Sequence, residues 1–100
     1  MYIYNTTYLV SVNQYPFWLK WLHDEHIPFM LKNGFTSPQT AKVLTVEENQ
    51  GGYSLAVQFQ IPDIDSFNAW NEQHYEKLLD DIAERFGTDV LPFSTLLQIL

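Results

Sequence analysis

From Tyr53 to Ile61 apolar and polar residues alternate strictly. Tyr53, Leu55, Val57, Phe59 and Ile61 fall on one side, with Ser54, Ala56, Gln58 and Gln60 on the other. A period of two over that length predicts a half-buried strand. Thr40 to Glu48 precedes it as a second strand, joined through Asn49-Gln50-Gly51-Gly52, whose glycines suit a hairpin turn. Tyr2 to Val12, rich in β-branched and aromatic residues and free of Gly and Pro, predicts another strand. Val90 to Leu100 predicts the last, apolar on both faces, and Pro92 makes it an edge strand or one that starts late. Two segments have helical period instead. The first opens at Asn13-Gln14-Tyr15-Pro16 with Asn13 as its cap, runs through Trp18–Leu31 and ends at Gly34. Within it Pro28 removes a backbone donor and crowds the Asp24 carbonyl, which predicts a kink or break. The second starts at Pro62-Asp63-Ile64-Asp65 with Asp65 as cap and stops at Gly87. Its inner face reads Phe67, Asn71, His74, Tyr75, Leu78 and Ile82, while Glu72, Glu76 and Asp80 point away.

The order β-α-β-β-α-β is the ferredoxin-like pattern of the α+β class: an antiparallel four-stranded sheet with both helices on one face. Residues 1–100 make one domain of this kind, a length sufficient to close one core. Four strands span about 19 Å, and two helices, each about 10 Å wide, cover that width once. The other face of the sheet is left bare, yet the last strand is apolar on both sides, with Leu91, Phe93, Leu97 and Ile99 on one and Val90, Leu96 and Leu100 on the other. A bare apolar face of that size predicts a homodimer through the open sheet face, its two sheets closing into a dimeric α/β barrel.

Charge narrows the partners. The formal net charge is −7 and only five residues are Lys or Arg, so there is no basic patch for nucleic acid or for an anionic membrane surface. The chain has no Cys, which excludes disulfides and thiolate metal sites and favours a cytoplasmic setting. The N-terminal residues lack signal-peptide character, and no apolar run approaches the roughly 20 residues that span a bilayer. The sequence therefore predicts a soluble, unprocessed protein.

The chemistry-bearing residues concentrate in the first helix. His23 and His26 are three apart and about 60° apart on a helical wheel, and His74 near the middle of the second helix is their nearest candidate companion. Asp24 falls on the outer side and Glu25 beside neither ring, so no third ligand is in place and no metal is expected. Trp18, Trp21 and Trp70 read as large core or interface residues, Trp18 foremost as core since it shares the inner face with Leu22 and Phe29, and Trp18 and Trp70 are also candidate walls of a pocket. Asn71, and Asn5 on the first strand, are amides that need partners: each satisfies backbone or faces a polar cavity. No phosphate loop, nucleophile elbow, HExxH or Ca²⁺ loop is present, and no cofactor is expected. Glu47-Glu48 and Asp80-Asp81 read as solvated, solubilising charge.

Tyr4-Asn5, Trp18-x-x-Trp21, His26-Ile27-Pro28, Gly34-Phe35, Arg85-Phe86-Gly87, Phe93 and Leu96-Leu97 resemble a family of short bacterial proteins known only as a domain of unknown function. The resemblance covers nearly the whole chain and implies the dimeric α/β-barrel superfamily, with no activity attached. A weaker resemblance, carried by Phe67-x-x-Trp70 and Asn5, is to antibiotic-biosynthesis-type monooxygenases. In haem-degrading members a ligating His follows the Trp by about three helical turns; here Asp80 holds that position, a departure from the haem pattern.

Three functions follow. One is a module binding a small apolar or aromatic molecule between helices and sheet, with Asn5, Trp18, His26, Trp70, Asn71 and His74 as its candidate contacts. Another is a cofactor-independent (less readily haem-dependent) monooxygenase or isomerase with His26 as candidate base. The third is a structural or interaction dimer with a filled core.

Overall fold

The computed structural model describes residues 1–44 and 52–100. β1 (Tyr2–Ser11) leads into α1 (Tyr15–Trp21), a π-helical turn (Leu22–His26) and α2 (Ile27–Lys32), which together form one unbroken helical rod. Then come β2 (Thr36–Lys42), β3 (Gly52–Ile61), α3 (Ile64–Phe86), a short 3₁₀ turn and β4 (Val90–Gln98). The four strands form one sheet in the order β2-β3-β1-β4 with every pairing antiparallel, so the fold is ferredoxin-like with the expected β-α-β-β-α-β order.

Side-chain parity along β1 decides the two faces. Tyr4, Thr6, Tyr8 and Val10 are buried on the helical side, and Tyr4 meets Trp70 at 5.4 Å while Tyr8 meets Trp18 at 5.2 Å. Cross-strand pairing puts Val57 and Phe59 on that same side, opposite Thr6 and Tyr4. The core between sheet and helices is largely aromatic; Trp18, Phe35, Phe59 and Trp70 are all buried in it. Ile3, Asn5, Thr7 and Leu9 face the other way. They pair in register with Leu97, Thr95, Phe93 and Leu91 of β4, and no described element covers this side. Leu9, Leu91, Phe93, Leu97 and Ile99 are exposed there, which settles which of the last strand's two apolar faces is the open one.

Several local readings are corrected. The first helix is capped by the backbone at Gln14, not by Asn13. The chain does not break at Pro28: the ring's missing N–H and its clash with the Asp24 carbonyl are absorbed by the wider π turn just before it, where the Ile27 N–H donates back five residues to the Leu22 carbonyl. Gly34, at φ +93°, follows the helix as expected, and the Phe35 N–H closes the end on the Met30 carbonyl at 3.2 Å. β2 begins at Thr36 rather than Thr40. It is an edge strand exposed on both faces, with Pro38 and a register shift between Thr36 and Gln39, so it carries no apolar alternation to read. Its predicted end at Glu48 and most of the predicted Asn49–Gly52 turn lie outside the described residues. α3 is capped by Asp63, whose carboxylate accepts the Ser66 N–H at 2.8 Å, and not by Asp65. β4 is an edge strand, as Pro92 implied.

Gly52 starts β3 against the backbone of β1: a Cβ there would lie 2.7 Å from the Val10 carbonyl oxygen. Backbone in a paired strand cannot yield as a side chain can. Gly52→Ala is expected to cost about 1–3 kcal/mol, read as a lowered urea midpoint with an unchanged slope.

Candidate functional site

The π turn is the irregular feature of the helical layer, and it rearranges the chemistry of the first rod. In an α-helix, residues five apart point about 140° away from each other. The wider turn brings Trp21 and His26 onto one side, where their rings stack at 4.8 Å with planes 15° apart. It also separates the two histidines: His23 is exposed, while His26 is only 4% exposed. Beneath His26, Phe59 of the sheet stands edge-on at 5.9 Å. His26 Nδ1 is enclosed without a hydrogen-bond partner. Burial alone pushes its pKa down from 6.5 to about 4, so the ring is neutral at pH 7.

His26 forms part of the wall of a cleft of about 370 Å³. The cleft opens between the two helical rods rather than between helices and sheet, where the large aromatic side chains fill the space. Trp21, Glu25, His26 and Phe29 line it from the first rod, and His74, Lys77, Leu78 and Asp81 from α3. His74 packs edge-on against Phe29 at 5.2 Å across the gap. Arg85 ties the rods together. Its guanidinium donates to both Glu25 carboxylate oxygens at 2.9 and 2.8 Å, and its Nε donates to Asp81 Oδ1 at 2.9 Å. Bonding to Asp81 and then Glu25 raises the Arg85 pKa and fixes its charge. The groups are partly solvated, so the fork sets geometry more than it adds stability.

The predicted contacts thus divide. His26 and His74 share the cleft. Trp18 and Trp70 are core residues, 0% and 3% exposed. Asn5 lies on the uncovered side of the sheet, between Gln58 and Thr95, away from the helices. Asn71 is exposed, not central, and Trp70 is buried instead. The inner stripe of α3 advances by four residues from Trp70 through His74, Leu78 and Ile82 to Phe86, drifting about 40° per step, and at its start it is centred on Phe67 and Trp70. Among the described residues no group of three or more His, Asp or Glu side chains is arranged to hold a metal ion.

Trp21, Glu25, Phe29, Lys77, Leu78 and Asp81 line the cleft but were not among the predicted contacts, and neither was Arg85, which links Glu25 to Asp81 beside it. Asp81 is not mere solubilising charge, since it engages Arg85. Glu25 lines the cleft along with His26, its carboxylate on Arg85. Asp24 faces outward, paired with Lys20 at 2.8 Å, as the wheel indicated.

A four-stranded antiparallel sheet, one helical layer and a cleft in that layer define a ferredoxin-like α+β domain. The chain belongs to the family described as a domain of unknown function, DUF4286, whose model matches residues 1–100. No curated protein matches it. Among solved structures it is similar to a dimeric ferredoxin-like protein from an uncultured marine organism, with 12% identity over 99% of this chain and 95% of that one and a TM-score of 0.69. It is also similar to an ethyl tert-butyl ether d (EthD) family protein from Bacillus halodurans, with 12% identity over 100% of both chains and a TM-score of 0.66. At such identity the likeness speaks for the fold alone. No helix among the described residues is long and apolar enough to cross a membrane.

Proposed function

We propose that this protein is a homodimeric binding module that takes a small aromatic or apolar molecule in the cleft between its helical rods. The observation that carries the reading is His26, a neutral ring on the cleft wall, stacked on Trp21 and without a protein hydrogen-bond partner at its enclosed nitrogen. The stacked Trp21–His26 pair and Phe29 give the cleft an aromatic wall that suits a flat apolar ring. A volume of about 370 Å³ suits one or two fused rings. The dimer reading is supported by the exposed apolar row on the open sheet face and by the fold's similarity to a protein described as dimeric. A cytoplasmic setting is consistent with the Cys-free sequence.

Catalysis with His26 as general base is the weaker reading. A ring near pKa 4 is a poor base at neutral pH, and no carboxylate or carbonyl orients its Nδ1. A thermal-shift screen of one- and two-ring aromatic compounds tests the binding reading. A ligand present at about 100 times its Kd is expected to add about 2.7 kcal/mol of stability. His26→Gln is expected to fold and to lose most of that shift. An unchanged shift in the variant would remove His26 from the site.

A further inference from the structure

We infer that the molecule taken by this cleft is an aromatic monoanion, its ring lying against Trp21, His26 and Phe29 and its carboxylate or equivalent anionic group meeting Lys77. The inference rests on the binding reading above and names the chemical class of ligand for the same cleft.

It follows from which charges at the cleft are already engaged. Glu25 has both oxygens on the Arg85 fork, and Asp81 gives Oδ1 to the same guanidinium. Lys77 has no hydrogen bond or ion pair among the described residues, although Asp81 stands four residues on, at ordinary ion-pair spacing. Its ammonium keeps every N–H free. His74, three residues before Lys77 and therefore its neighbour on the helix surface, also lines the cleft without a hydrogen-bond partner among the described residues. Hydrogen-bond donors on α3 are thus in excess on the cleft side, while the acceptors opposite are largely used. An acceptor-rich anion matches that balance. The chain's net charge of −7 repels anions at a distance, so the preference originates in contact at Lys77 and not in the field of the whole molecule.

Isothermal titration with three probes of one shape separates the possibilities: 2-naphthoate, 2-naphthamide and 2-naphthylmethylamine, each against the wild type and Lys77→Met. Lys77 is exposed and unpaired among the described residues, so the variant is expected to fold as the wild type does. Naphthoate should bind about fivefold more tightly than the amide, the upper end for a partly solvated ion pair. Lys77→Met should abolish that preference and leave amide binding unchanged. Equal binding of naphthoate and amide, tightest binding of the amine, or a preference that survives Lys77→Met would overturn the anion assignment while the cleft stood as an aromatic site. Binding of none of the three would overturn both.

Discussion

Replacing Phe93 by Asp should turn the proposed dimer into a monomer without unfolding the chain. Phe93 is 58% exposed on the uncovered side of the sheet, opposite Thr7 and next to the Leu9–Leu91 pair. Covering such a side chain with a second copy is worth about 2 kcal/mol. A two-fold interface counts each substitution twice. The loss from buried area is then about 4 kcal/mol, roughly a thousandfold in dissociation constant, before the cost of desolvating two carboxylates. The fold survives because Phe93 points away from the Tyr4–Tyr8 core. Sedimentation equilibrium across micromolar concentrations should show a dimer for the wild type and a monomer for Phe93→Asp, with matching circular dichroism. Equal masses for the two proteins would show that this face is not the interface.

The second large effect is a pH dependence centred on His26. Its pKa falls from 6.5 to about 4 on folding because the ring is buried. Between those values the unfolded chain binds a proton that the folded one does not. Stability contributed by the neutral ring is therefore complete above about pH 6.5 and declines as pH falls, with the full loss reached below about 4. A shift of that size corresponds to about 3 kcal/mol. Carboxylates held low in the fold, as Asp63 is by the Ser66 N–H and hydroxyl, also cost stability when acid protonates them, so wild type alone does not isolate the effect. Comparison with His26→Gln does, because those carboxylates are common to both proteins. The variant should be less stable than wild type at pH 7, and the gap should close by about 3 kcal/mol at pH 4. A gap independent of pH would contradict a ring kept neutral by burial.

The fold was largely legible because one side of each inner strand is buried and the period of two survives in the sequence. β3 is the clearest instance, and parity along β1 also contained the location of Asn5: a residue alternating with Tyr4, Thr6 and Tyr8 faces away from the helices. β2 was misplaced because an edge strand exposed on both sides leaves no such signal. The candidate site was half legible. His26 and His74 were found from residue type and helix position, but their setting depends on the π turn, and a wheel drawn at 3.6 residues per turn does not register one widened turn. The signal present was Trp21 and His26, five apart, with Pro28 two residues beyond. The Arg85 link to Glu25 joins residues 60 apart in the chain, which periodicity does not address. The drift of the α3 stripe exchanged the expected positions of Trp70 and Asn71 for the same reason: the inner face follows packing against the sheet, not a fixed line along the helix.

The central claim is that His26, neutral and unpartnered, is the recognition group of the cleft. Side-chain nitrogen NMR of the three histidines at pH 7, with and without 2-naphthoate, tests it most directly. The account predicts a neutral His26 ring whose nitrogen resonances move on addition of naphthoate, while those of the exposed His23 stay in place. A protonated His26 at pH 7, or a His26 unmoved while naphthoate binds, would contradict it.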